Sequence, residues 1–113
     1  MRRRMMKSKI HRATVTGAEL DYAGSISLDT ELMKGADILE FEQVAVLDID
    51  NWNRFETYAI AGDPGQVQLN GAAARLVEVG HRVIVITYAD YDATELVGFQ
   101  PLVVKVDSEN RAR

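Results

Sequence analysis

A hydroxyl that can act as a nucleophile follows a residue without a Cβ at Gly24-Ser25, within Asp21-Tyr22-Ala23-Gly24-Ser25-Ile26-Ser27. The pair can be a bond built to break. It can equally be an ordinary turn, because glycine tolerates left-handed backbone and serine bonds back to nearby amides. A second group lies at Arg54, Thr57 and Tyr58. The planar guanidinium can hold two carboxylate oxygens at once, and a phenol stays protonated at neutral pH, available as an acid. Thr57 can be a hydrogen-bond donor or a β-branched residue facing the core, and Tyr58 a barrel aromatic. Lys9 and His11 add a cation and an imidazole, with plain exposed-strand charge as the competing reading. Asn70, before Gly71-Ala72-Ala73-Ala74, has the form of a helix N-cap, where free amides also suit an anion.

The chain around these residues has 113 amino acids, 47% hydrophobic and 27% charged, a balance that fits one compact globular domain. It contains no cysteine, so disulfides, thiol nucleophiles and thiolate metal sites are excluded together. With histidine only at His11 and His81, no multi-histidine metal site is expected. No run approaches the roughly 20 apolar residues that cross a bilayer, and the basic start lacks a signal peptide's apolar core. A cytoplasmic protein is expected, with no membrane partner.

The net charge of -4 hides an asymmetry. Residues 1 to 12 hold six of the 13 basic residues and none of the 17 acidic ones. Such an arm can grip nucleic acid, recruit a small anion, or be a solvated end. The solvated end is the expectation for Arg2 to Arg4.

Loose alternation over residues 7 to 16 predicts a strand with Lys9, His11 and Ala13 on one face. A connection over Ala18 to Ala23 leads to a strand at Ser25 to Leu28. Asp29-Thr30 caps a short helix to about Lys34, which Gly35 ends. Strands follow at Val44 to Ile49 and Arg54 to Ala61, joined by a turn at Asn51 to Asn53. The second places Arg54, Glu56, Tyr58 and Ile60 on one face. The turn Gly62 to Gly65 precedes a strand at Val67 to Leu69, a helical turn over Ala72 to Val77, a strand at Val83 to Tyr88 and another at Leu102 to Val106. Short strands joined by tight turns suggest a small barrel with little helix.

Four blocks in this order resemble the pyruvoyl-dependent aspartate 1-decarboxylase family: Lys9 to Thr16, Tyr22 to Ser25, Arg54 with Thr57 to Ile60, and Asn70 to Ala74. The resemblance runs over roughly residues 5 to 89. It implies a mainly β chain folded as a double-psi β-barrel with short helices, and a homotetramer with active sites between neighbouring subunits. The implied activity is decarboxylation of L-aspartate to β-alanine and CO2 for pantothenate and coenzyme A synthesis. The implied cofactor is a covalent pyruvoyl group derived from Ser25, with no metal and no pyridoxal phosphate. It would arise by self-cleavage between Gly24 and Ser25 into chains 1–24 and 25–113, spontaneously or with a maturation factor.

By the same resemblance, the Ser25-derived group forms a Schiff base with substrate and Tyr58 is the proton donor. Thr57 and Tyr22 assist processing. Arg54, Lys9, His11, Thr57, Asn70, Ala72 and Ala73 bind substrate. The chain departs from the expected pattern at Gly17, Glu19 and Asp21, is shorter over Gly62 to Leu69, and matches poorly from Asp90 onward. The rival reading is a double-psi barrel that never cleaves itself and serves as a binding module, with nucleic acid as the target of its basic arm. The set Gly24, Ser25, Arg54, Thr57, Tyr58 and Asn70 argues against it, and nucleic acid is not expected as a partner.

Overall fold

The structure is a computed structural model that describes residues 1–113. Eight strands are joined by one short α-helix and one 3-10 helix: β1 (Arg3–Thr14), β2 (Gly17–Glu19), β3 (Ser25–Asp29), α1 (Thr30–Gly35), β4 (Gln43–Asp48), β5 (Arg54–Gly62), β6 (Val67–Asn70), the 3-10 turn Gly71–Leu76, β7 (Arg82–Tyr91) and β8 (Leu102–Lys105). They hydrogen-bond in the order β2-β6-β3-β5-β4-β7-β1-β8. β1 stands seventh in that order and β2 first, yet only Val15 and Thr16 lie between them. So short a link forces the sheet to curl until its ends meet. Parallel pairs β3 with β5, β2 with β6 and β1 with β8 interleave with antiparallel ones, and the mainly β chain is a double-psi β-barrel.

Alternation decides what fills the barrel. Val44 and Val46 of β4, and Val83 and Val85 of β7, turn inward and are buried together with Ile10, Ile26, Leu28 and Leu69. All five residues of β3 are buried, so this strand is covered on both sides. Asp29 caps α1 as expected, its carboxylate accepting from the Glu31 amide at 2.7 Å. Its other oxygen accepts from the Gly65 amide at 2.8 Å, tying the helix start to the β5–β6 turn.

Three expectations give way here. The face proposed for Lys9, His11 and Ala13 is broken by a β-bulge: the β1–β7 register shifts between Ile10 and Ala13, and Arg12 takes φ 65°. The extra residue turns Ala13 into the core while Lys9 and His11 stay partly exposed. Arg2 to Arg4 are exposed, as a solvated end would be, but Arg3 and Arg4 are the ordered start of β1, paired with Tyr91 and Asp90. Arg4 also makes an ion pair with Asp90 at 3.1 Å, and Arg2 donates to the Asp90 carbonyl at 2.8 Å. The segment after Thr16, expected to be a connection, contains the short strand β2, which the parallel partner β6 extends.

Candidate active site

Ser25 opens β3 opposite Asn70, the last residue of β6. Gly24 is exposed and Ser25 fully buried, so the bond between them lies where the chain passes from solvent into the barrel. The Ser25 hydroxyl donates to the Ala23 carbonyl at 3.0 Å and accepts from Asn70 Nδ2 at 2.9 Å. The same Asn70 nitrogen donates to Ser27 Oγ at 3.0 Å, and Asn70 Oδ1 accepts from Gln68 Nε2 at 2.8 Å. Asn70 is fully buried, and low-dielectric surroundings make such a satisfied network both rigid and costly to disturb.

Asn70 stands at the N-cap position with the extended backbone usual there, at φ -118° and ψ 151°, but its side chain makes no capping bond, and the following turn is 3-10 rather than α. The register across β3 and β6 aims the amide at Ser25 instead. Ser27 and Gln68 complete the network, and the sequence reading passed over both. The available signal was polar residues at alternate positions of adjoining strands, which places all four on one face.

The glycine demanded by close packing is Gly71. It has φ +66°, and a Cβ there would lie 2.7 Å from Gly24 Cα, 2.9 Å from Gly24 N and 3.1 Å from Tyr22 O. Gly24 itself avoids the left-handed region, and a Cβ on it would meet no atom within 4 Å beyond its chain neighbours. The left-handed backbone that the sequence allowed at Gly24 is found instead at Gly71, whose close approach to the Gly24 backbone leaves no room for a side chain.

Parallel pairing of Ile26 with Ala59 sets Tyr58 level with Ser25 and Thr57 level with Gly24, one and two steps back on both strands. Thr57 is half-buried, on the same side of β5 as Phe55, and its hydroxyl makes no hydrogen bond. Tyr58 is on the outer side, packed near the Phe41 ring at 6.3 Å between centroids. Tyr22 is exposed, Ala72 is exposed, and Ala73 packs against the core beside the site.

The remaining predicted residues are elsewhere in the chain. Arg54 begins β5, four residues from Tyr58 and so about 13 Å along the strand. It lines an open cleft of ≈ 630 Å³ with Leu47, Tyr88, Arg4 and Asp90, and forms no ion pair. Lys9 and His11 are on β1, which β5, β4 and β7 separate from β3. Lys9 pairs with Ile86, Ile86 with Ala45 and Ala45 with Glu56, so Lys9 shares the sheet's outer face with Arg54. Burial, then the charges of Lys9, Arg12 and Lys105, push the His11 imidazole below its usual range. The fold therefore gathers Gly24, Ser25, Thr57, Tyr58 and Asn70, and holds the three basic residues apart from them.

The family model described as aspartate decarboxylase matches residues 1–113. This chain belongs to the aspartate decarboxylase family. The match continues past residue 89, where the resemblance in sequence had faded. Aspartate 1-decarboxylase of Campylobacter hominis is 53% identical over 108 residues, covering 96% of this chain and 95% of its own. The Clostridium botulinum enzyme of that name is 55% identical over 108 residues, covering 94% and 85% of the two chains. That of Acetivibrio thermocellus is 56% identical over 109 residues, covering 95% and 86%. No helix of this family member is long and apolar enough to cross a membrane.

Proposed function

We propose that the chain decarboxylates L-aspartate to β-alanine and CO2 after cutting itself between Gly24 and Ser25, in the cytoplasm, on the route to pantothenate. The observation that carries the proposal is the buried bond from Asn70 Nδ2 to Ser25 Oγ, next to an exposed Gly24, in a member of the aspartate decarboxylase family.

Breaking the bond uses only this chain's atoms, and forming the pyruvoyl group then takes one water. The Ser25 oxygen attacks the Gly24 carbonyl carbon through a tetrahedral oxyanion, the peptide C–N bond breaks, and the Gly24 acyl group passes to the hydroxyl as an ester. Loss of the Cα proton then expels the 1–24 chain as a carboxylate. The dehydroalanine left at position 25 takes up water and releases ammonia, leaving a pyruvoyl group. Asn70 holds the attacking oxygen in place, and the free Thr57 hydroxyl, level with Gly24, is the donor for the developing oxyanion. Gly71 and Tyr22 fix the backbone on the leaving side.

The residues around position 25 suit that group, since Asn70 offers a buried donor to a polar oxygen there and no charged side chain competes. When formed, it supplies an electron sink for the carbon that loses CO2, which no ordinary side chain can. Tyr58, level with Ser25, supplies the proton that carbon then needs. Ala72 and Ala73 line the pocket with small side chains and backbone.

Arg54, Lys9 and His11 recognise the dicarboxylate. Arg54 is assigned to the side-chain carboxylate, because a pairing with the departing carboxylate would stabilise the ground state and vanish in CO2. Their separation from Ser25 within one chain supports a homotetramer in which a neighbouring subunit completes each site. Purified protein tests this directly. Expected are two masses, for residues 1–24 and a pyruvoyl-started 25–113, with CO2 released from aspartate. A single uncut chain that stays inactive with aspartate, even after incubation with lysate of its source, would overturn the proposal in favour of a binding module.

A further inference from the structure

Away from the Gly24-Ser25 bond, four elements converge on a small basic pocket. β1 contributes His11 and Arg12, β7 contributes Arg82, β8 contributes Lys105, and the chain end contributes Arg113, with Asp107 as the only acid. The pocket holds ≈ 280 Å³, about nine waters' worth at roughly 30 Å³ each. Most ion pairs of the molecule lie elsewhere, and Arg12, Arg82, Lys105 and Arg113 take part in none. Asp107 does not neutralise them by contact: its Oδ1 accepts the Glu109 amide at 2.9 Å and the Arg111 amide at 3.0 Å.

Gathering four cations without ion-pair partners is unfavourable, because their charges repel one another. Two features hold them there. The bulge in β1 forces Arg12 to φ 65°, and bulges re-aim side chains. The Arg113 amide donates to the Lys105 carbonyl at 2.9 Å, fastening the chain end over the pocket. One polar atom is left over: His11 Nδ1 is buried with no hydrogen-bond partner.

We propose that this pocket binds a small phosphorylated molecule at Arg12, Arg82, Lys105 and Arg113, sharing only His11 with the residues assigned to aspartate. Three guanidinium forks and an ammonium around one volume suit tetrahedral phosphoryl oxygens approached from several sides. The four cations outnumber the one acidic side chain, Asp107, and so favour an anion. His11 links the pocket to β1, so occupancy bears on the strand that also carries Lys9.

Titration calorimetry of the full chain with inorganic pyrophosphate at fixed ionic strength tests this. Expected is saturable binding of one pyrophosphate per chain. Lys105→Ala with Arg82→Ala weakens it about tenfold or more, and Lys105→Arg restores it in the Arg82 background. Arg54→Ala leaves it unchanged, and citrate binds more weakly than pyrophosphate. Absence of saturable heat, or equal binding by the double variant, would overturn the site. Loss of binding in Arg54→Ala would assign the anion to the aspartate site instead, and citrate binding equally well would overturn the phosphoryl assignment.

Discussion

The Ser25 network and the Arg54 cleft are built on opposite principles. Around Ser25, Asn70, Ser27 and Gln68 are locked in hydrogen bonds within one chain, with Asn70 fully buried. In the cleft, Arg54 is exposed and unpaired, and Lys9 is three strands away on the same outer face. Bond cleavage needs a few atoms held rigidly before any substrate arrives, so its groups are satisfied internally. Carboxylate recognition needs cations left free for a ligand. The difference teaches that the groups around the Gly24-Ser25 bond are satisfied within one chain, whereas the cations of the cleft are left free for a ligand.

The sharpest test of the preorganised half is Gly71. In Gly71→Ala, a Cβ 2.7 Å from Gly24 Cα combines with a left-handed φ to cost about 2–4 kcal/mol. Self-cleavage should slow more than in any other variant here, followed by intact mass over time. Cleavage at the wild-type rate would show that the Gly24 backbone need not be held. Asn70 comes next. Asn70→Ala removes the donor to the Ser25 and Ser27 hydroxyls and the acceptor for the Gln68 amide, a loss of about 1–3 kcal/mol and tenfold or more in cleavage rate. Asn70→Asp keeps the shape but replaces the donating NH2 with an acceptor, and it should not rescue cleavage. Rescue would mean that shape rather than donation matters.

These two residues also mark what the sequence could and could not convey. Seven of the eight strands were readable from residue type and alternation, β2 being the exception, and the caps and turns at Asp29 and Gly62 to Gly65 from residue type, because both depend on near neighbours. Asn70 before Gly-Ala-Ala-Ala had the local chemistry of a helix cap, and only pairing with β3, 45 positions back at Ser25, redirects its amide. Gly71 had the form of a turn glycine for the same reason, since its contact is with Gly24. The bulge at Arg12 was invisible because it is set by register against β7, not by the residues around it. The separation of Lys9 and His11 from Ser25 follows from strand order, which spacing along a chain does not encode.

Arg54→Ala probes the other half of the comparison. KM for aspartate should rise about 10- to 100-fold, the worth of a charge-assisted carboxylate bond, with kcat little changed and the cleavage time course identical to wild type. An unchanged KM would remove Arg54 from substrate binding. Slowed cleavage would be more instructive, because it would mean that the two regions are coupled and that the contrast between them is not a division of labour.

The smallest effect is expected at the support beneath the cleft. The turn leading to Arg54 is tied down by Asp48, whose Oδ1 accepts the Asp50 and Asn51 amides and whose Oδ2 contacts His81 Nδ1 at 2.8 Å. That hydrogen bond, followed by the charges of Asp48, Asp50 and Glu78, raises the His81 pKa despite the opposing effect of burial. A group whose pKa is higher folded than unfolded contributes fully below its unfolded value, near 6.5, and its contribution is lost as pH rises through the folded value. Melting temperature of wild type relative to His81→Gln should therefore fall as pH rises above the unfolded value near 6.5. Glu78 remains at 3.2 Å from Nε2 on the solvent side, so high salt should shrink the difference without removing the Asp48 contribution. A difference independent of pH would show that the imidazole is held by shape alone, and the cleft would then rest on a neutral hinge rather than a charged one.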